Sequence, residues 1–363
     1  MKPNWNWDYY NSSGGITLRF PLVKILAILA GFRKNHSFAK PFREAKSLRA
    51  LYFHQTLQLK TDFPAPSPRH TDALIRTLLA GICNTDIEIL RGYGRFIGVL
   101  GHEFVGEVVR ADSAPHLIGQ RVVGEINCYC GQCPTCQRGD TEHCPHRTTL
   151  GIHGRDGTMA DLFTLPAHLL HPVPDSLTDE QAVFVEPLAA ACEIVQQIHI
   201  RPNHRIVVLG DGKLGLLIAQ VLQLTGCKLL VVGHHPHKLE ILARRGIQTQ
   251  LATDPIDPSA DIVIEATGSK AGFVTARSLV RPRGTLVLKS TFHEEVMLDL
   301  SRIVVDEITL IGSRCGPFTP ALGLLNQKLI AVEPLIHGKF PFDHSLVAFQ
   351  QATSGALKVL LEM

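Results

Sequence analysis

Hydrophobic and polar positions divide this chain into two textures. From about residue 50 to 185 the apolar residues fall in short runs, at 50–53, 73–79, 104–110, 120–125 and 163–165. Gly and Pro break these runs, and Pro64, Pro66 and Pro68 mark a loop between the first two. Short β-type runs separated by turn residues predict a compact, mostly β domain. At Asp179 the period changes. Residues 179–198 repeat their apolar positions at helical spacing, with Asp179 and Glu180 in the first turn, where acids are favoured.

A buried strand follows at 205–210 and runs into glycine-rich punctuation and a helix at 214–225. A strand at 228–232, a helix at 237–245 and strands at 261–265 and 284–288 come next. Strands alternating with helices at this spacing predict βαβ units and a parallel sheet. The fold class is therefore α/β plus β, and there is no internal repeat.

Composition agrees with two domains. A chain of 363 residues at about 150 per domain fills roughly two cores. Its 45% hydrophobic and 19% charged content excludes collagen-like, coiled-coil and wholly disordered chains. The formal charge of +3 splits unevenly. Residues 1–49 hold nine Lys and Arg against Asp8 and Glu44, and the remainder is mildly acidic. A nucleic-acid-binding body would need a basic face, so no nucleic-acid partner is expected.

Within residues 1–49, the stretch 20–32 is apolar apart from Lys24, but it contains Pro21 and falls short of the ~20 residues a bilayer needs. No membrane span is expected there. The basic, acid-poor leader also fits an organelle transit sequence. The plainer expectation is a poorly ordered extension, or one made from an upstream start codon. Nine cysteines, an odd number with five of them between 128 and 144, suit reduced thiols and metal rather than a disulfide frame. A reducing, cytoplasmic setting follows.

Three groups of residues carry candidate chemistry. Gly210-Asp211-Gly212-Lys213-Leu214-Gly215 is a G-x-G-x-x-G set between strand and helix. There Gly210 makes the tight turn, Gly212 admits a pyrophosphate and Gly215 packs the helix close. The free N–H groups at the helix start, with Lys213 and Leu214, face that anion. The second strand ends Val231-Val232-Gly233-His234-His235, with no carboxylate for a ribose 2′-OH. Gly233 leaves room for a 2′-phosphate and His234 or His235 meets it, which favours NADP over NAD. As for the histidines themselves, a solvated loop is preferred to a metal tract of His234, His235 and His237.

Cys130-x-x-Cys133-x-x-Cys136-x7-Cys144 offers four thiolates on one loop. That set suits a closed, structural zinc site, with an iron–sulfur centre as the competing reading. Cys128 is surplus. A dispersed set, Cys83, His102-Glu103 and Glu186, describes an open mixed-ligand metal site. Taken singly, each has an ordinary reading: a small buried thiol, a hydrogen-bonded loop histidine, charges on a helix face.

Together, Gly101-His102-Glu103, Cys83-x-Thr85-Asp86, the four-cysteine loop, Glu186-Pro187-Leu188-Ala189 and the glycine motif resemble the zinc-dependent medium-chain dehydrogenases. The resemblance runs from about Ala50 to the end and is strongest to the polyol and threonine dehydrogenase-like branch. It implies a GroES-like catalytic domain (50–190 and 315–363) interrupted by a Rossmann domain (191–314). It also implies reversible hydride transfer between an alcohol and NAD(P), with two zinc ions per chain. Cys83, His102 and either Glu103 or Glu186 would hold the catalytic zinc. Thr85 would pass the alcohol proton and Asp86 would orient His102. Lys358 would touch the cofactor phosphates, and relatives form dimers or tetramers. The chain departs from the family in its short Cys83–His102 spacing, the missing acid and the leader.

Two other functions fit the fold: a zinc-stabilised NADP-binding protein without dehydrogenase activity, and a zinc-independent reductase. Polyols, amino alcohols and aromatic alcohols all remain open as substrates, with Phe96, Phe104, Phe292 and Phe318 either lining the pocket or in the core.

Overall fold

The computed structural model describes residues 48–290 and 296–363, so the leader up to residue 47 and Phe292 lie outside the described residues. The first strand, Leu48–His54, begins ahead of the expected start at Ala50. Leu48 is 5% exposed and Arg49 binds Asp161 (2.7 Å) and Asp343 (3.0 Å), which ties both residues into the fold.

Two sheets organise the chain. The first runs in the order Leu170–Pro172, Arg121–Gly124, Glu103–Ala111, Asp72–Gly81, Lys358–Glu362 and Ile336–Pro341, with Leu162–Pro166 also paired to Asp72–Gly81. Its register positions the chemistry. Gly81 pairs with Glu103 and Leu360 pairs with Gly81. The loop leaving Gly81, the loop entering Glu103 and the start of the last strand therefore meet at one end. Cys83, His102 and Lys358 come from these three places.

The second sheet is all parallel, in the order Gln248–Leu251, Lys228–Gly233, Arg205–Leu209, Ala260–Glu265, Val280–Leu288 and Thr309–Gly312. The strand order, not the strand direction, reverses between Arg205–Leu209 and Ala260–Glu265, the switch point at which such sheets bind ligands beyond their carboxyl ends. Ile206, Val207, Val208 and Leu209 are all buried, as a strand covered on both faces requires.

The helix expected over 179–198 is two helices, Asp179–Ala182 and Val185–Gln197. Pro187 is the physical reason. It has no N–H to donate and is tolerated only in a first turn, so a new helix must start just ahead of it. One apolar cluster joins the sheets, bringing Leu79, Val105 and Leu360 together with Leu188, Val208 and Leu217. Among the described residues no helix is long and apolar enough to cross a membrane.

Candidate active site and metal centres

Cys130, Cys133, Cys136 and Cys144 meet on one loop, with left-handed turns at Gly131 and Gly139. Their sulfurs stand 3.5 Å (133–136), 3.6 Å (144–130), 3.8 Å (133–144) and 3.9 Å (130–136) apart. A tetrahedral ion with Zn–S of ~2.3 Å needs sulfur–sulfur edges of about 3.8 Å, so the four fit one zinc. A cluster with bridging sulfides would hold the cysteines farther apart. Backbone N–H groups of Gln132 and Cys133 draw the Cys130 thiol down to about 6, toward the thiolate a metal binds. Cys128 is buried and apart from the four, as expected of a surplus thiol.

The mixed site grows from Cys83-Asn-Thr-Asp86. Cys83 caps the helix Asn84–Leu90, and Asp86, three residues on, reaches back to accept the Cys83 N–H (2.8 Å). The other oxygen of Asp86 accepts Gly101 N–H (3.2 Å) and lies 3.5 Å from His102 Nδ1. One fully buried carboxylate thus fixes both the thiol loop and the imidazole loop. The ligand atoms of Cys83, His102 and Glu103 lie within 4.8 Å of one another. Glu103 Oε1 is buried without a hydrogen-bond partner, the condition of a donor awaiting a cation. Thr85 Oγ1 is 3.8 Å from Cys83 Sγ. Burial disfavours a charged His102, yet Asp86 and Cys83 together raise its pKa well above the ordinary value.

Glu186 is not within that ligand group, but it lines the same cavity from the first turn of Val185–Gln197. Burial pushes its carboxyl up to about 7, with Glu103 adding to the effect. Lys358 departs from the expected role. Its ammonium is fully buried and ion-paired to Glu103 Oε2, 5.5 Å from the centre of the Phe184 ring. An ammonium with no exposure needs an anion at hand, and the strand register supplies Glu103 rather than a cofactor phosphate. Burial alone would raise the Glu103 pKa, but Lys358, Lys213 and His102 hold it below the usual range.

The glycine loop takes the form its motif demands. Gly210 has φ +120°, and a Cβ there would stand 2.6 Å from Ala266 O. A Cβ at Gly215 would stand 2.1 Å from Gly210 O, whereas one at Gly212 would meet nothing within 4 Å. The two closed positions hold helix against strand, and the open one leaves space for a pyrophosphate at the start of Lys213–Gln223. Lys213 donates to Ile82 O (3.0 Å), which bridges this loop to the thiol loop. Gly233 ends the second strand and His234 follows it, and beside them stands a carboxylate that the strand sequence lacks. Asp211, from the glycine loop, accepts His234 N–H (2.7 Å) and His235 N–H (2.6 Å).

A single cavity of about 600 Å³ joins these parts. Cys83, Thr85, His102, Glu103 and Glu186 line it, as do Gly212, Lys213 and Leu214. Asn127, Arg147, Thr149, His153, Lys289 and Cys315, which motif reasoning missed, add polar groups to a lining that also holds Ile87, Ile126 and Ile152. Lys289 carried a readable signal, a charge set directly after a buried parallel strand at the sheet's ligand-binding edge. Burial lowers its ammonium to about 8, and it donates to Ser313 Oγ (3.0 Å) and Arg314 O (2.6 Å). Phe96, Phe104 and Phe318 sit in the hydrophobic cores rather than on this wall.

Comparison with known proteins agrees with this geometry. Residues 69–175 match the alcohol dehydrogenase GroES-like domain, and residues 214–327 match the zinc-binding dehydrogenase domain. Sorbitol dehydrogenase of Halalkalibacterium halodurans is 29% identical over 321 residues, spanning 82% of this chain and 93% of that one. D-arabitol-phosphate dehydrogenase of Enterococcus avium is 28% identical over 326 residues, spanning 83% and 92%. Alcohol dehydrogenase TADH from Thermus sp. ATN1 superposes with a TM-score of 0.79 at 28% identity, covering 87% of this chain and 99% of that one. Among other solved structures of the same fold, one holds NADP and another NADH. With its paired domains, metal-ligand sets and glycine loop, the chain belongs to the zinc-dependent medium-chain dehydrogenase/reductase family and is an NAD(P)-dependent oxidoreductase acting on an alcohol or its carbonyl product.

Proposed function

We propose that this enzyme oxidises a polyhydroxylated alcohol. The carrying observation is the character of the shared cavity, whose wall presents Asn127, Arg147, Thr149 and His153 while Phe96, Phe104 and Phe318 are spent in the cores. Donors and acceptors set among apolar neighbours such as Ile87, Ile126 and Ile152 can hold a substrate with several hydroxyls on a carbon chain. The names of the relatives, a sorbitol and an arabitol-phosphate dehydrogenase, support the same class.

Cys83, His102 and Glu103 would hold the catalytic zinc in this reading, and Glu186 lines the same cavity. Cys130, Cys133, Cys136 and Cys144 hold the structural one. When bound, the catalytic zinc supplies Lewis acidity that brings an alcohol hydroxyl's pKa toward neutrality, and the nicotinamide supplies the hydride acceptor. Thr85 takes up the hydroxyl proton and passes it toward solvent. Asp86 holds His102 in orientation through Nδ1. Lys358 neutralises Glu103 from below.

The subunits pair as a homodimer. Leu310 on the sheet-edge strand Thr309–Gly312 is 40% exposed, and Met297, Leu300, Val304 and Val305 beside it are 66–97% exposed. An open edge strand with apolar neighbours calls for a partner. Nine unpaired cysteines support a cytoplasmic setting. A panel of sorbitol, xylitol, ribitol, benzyl alcohol and threonine tests the substrate class. The highest kcat/KM should fall on a polyol. A tenfold preference for benzyl alcohol or threonine would reject it.

A further inference from the structure

The end of the second parallel strand is where an NAD enzyme presents an acid to the adenosine ribose. Here that strand closes on Gly233, His234 and His235. Gly210 N–H donates to Val232 O (2.9 Å), so the residue after Gly210 is delivered to this same spot. That residue is Asp211. Its Oδ2 accepts His234 N–H (2.7 Å), His235 N–H (2.6 Å) and lies 3.0 Å from His235 Nδ1. A Cβ on Gly233 would come within 2.5 Å of both Asp211 Cβ and Asp211 Oδ2. The two positions have exchanged duties: the strand residue has given up its side chain, and the loop residue fills the vacated space with a carboxylate.

Of the two histidines expected to meet a 2′-phosphate, one is already engaged and the other, His234, has an exposed side chain. The His235 ring is turned onto Asp211, and Lys238 donates to Gly355 O (2.9 Å). Burial opposes ionisation of Asp211, but the His235 and His234 donors hold its carboxyl below the usual range. A fixed anion at this place accepts from a ribose 2′-OH and repels a 2′-phosphate bearing about −1.5 to −2 charges.

We propose that Asp211 is the residue that selects NAD(H) over NADP(H) in this enzyme, in place of the usual acid on the second strand. The proposal rests on the NAD(P)-dependent oxidoreductase assignment and reverses the NADP preference drawn from the strand sequence alone.

The test is a fluorescence titration of the zinc-loaded enzyme with NADH and with NADPH, which needs no turnover. Wild type should bind NADH at least about tenfold tighter, or about 1.4 kcal/mol. Asp211→Asn keeps one oxygen as acceptor for both backbone N–H groups but removes the charge. It should bring the ratio of the two affinities close to one, chiefly by tightening NADPH. Gly233→Ala, which crowds the carboxylate aside, should shift the ratio the same way. Equal or tighter NADPH binding by wild type overturns the proposal even if neither variant folds. So does an Asp211→Asn enzyme that loses both coenzymes equally, the mark of a purely structural residue. Failure of wild type to bind either coenzyme overturns both the proposal and the oxidoreductase assignment.

Discussion

Replacing Asp86 tests how the mixed metal site is held. The side chain is fully buried and serves three groups: Cys83 N–H at 2.8 Å, Gly101 N–H at 3.2 Å and His102 Nδ1 at 3.5 Å. Asp86→Ala strands the buried Gly101 N–H and the part-buried Cys83 N–H, the first costing about 1–3 kcal/mol and the second less, so the fold loses about 2–4 kcal/mol. It also frees the His102 ring. Loss of such an orienting partner lowers metal affinity by about 10–100-fold, or about 1.4–2.8 kcal/mol. Asp86→Asn keeps the shape but not the chemistry. Its amide nitrogen must face either the Cys83 N–H or the Gly101 N–H, donor against donor, so one of the two bonds is lost. Its fold cost is about half that of Asp86→Ala. The assay is a competition titration against a chromophoric zinc chelator, with the four-cysteine site as an internal reference. The account predicts that only the weaker-bound zinc loosens. Zinc affinity within twofold of wild type at the mixed site, alongside a lowered melting temperature, would reduce Asp86 to a structural residue and refute the reasoning.

Three further outcomes follow from the geometry. Cys136→Ser opens the four-sulfur loop and should lower zinc content by one ion per chain while leaving the other in place, as counted by elemental analysis. Zinc affinity at the mixed site should fall on acidification. His102 has a raised pKa, so the metal must displace a proton below it, and each proton displaced costs about tenfold per pH unit. Competition titrations at pH 8 and pH 6 read this directly, and equal affinities would contradict it. Gly215→Ala puts a Cβ 2.1 Å from Gly210 O, a backbone atom that cannot yield. NADH affinity should drop at least about tenfold with zinc content unchanged, as read by fluorescence titration.

The two textures of the chain were legible because strands covered on both faces read as unbroken apolar runs, as residues 206–209 do. The glycine loop was legible because each glycine answers a fixed steric demand. The four cysteines were legible because their ligands are close in sequence. The rest depended on distance along the chain. Lys358 is 255 residues from Glu103 in sequence, and only the register of the last strand on Gly81 brings them together. Asp211 was hidden for a different reason. It occupies a variable place in its motif, and its meaning comes from a neighbouring strand that has a glycine where an acid is usual. Pro187 was visible throughout, but the apolar period across 179–198 outweighed it, and the helix break was missed. The short strands Gln248–Leu251 and Thr309–Gly312 carry too few apolar positions to stand out.

The central claim is that an ion held by Cys83 and His102 carries the alcohol chemistry. Its most direct test is the turnover of zinc-loaded Cys83→Ser on the best polyol, followed through reduction of the nicotinamide cofactor. Lewis-acid assistance contributes several kcal/mol, so turnover should fall at least about a thousandfold while the four-cysteine loop keeps its zinc. Turnover equal to that of wild type would contradict the account.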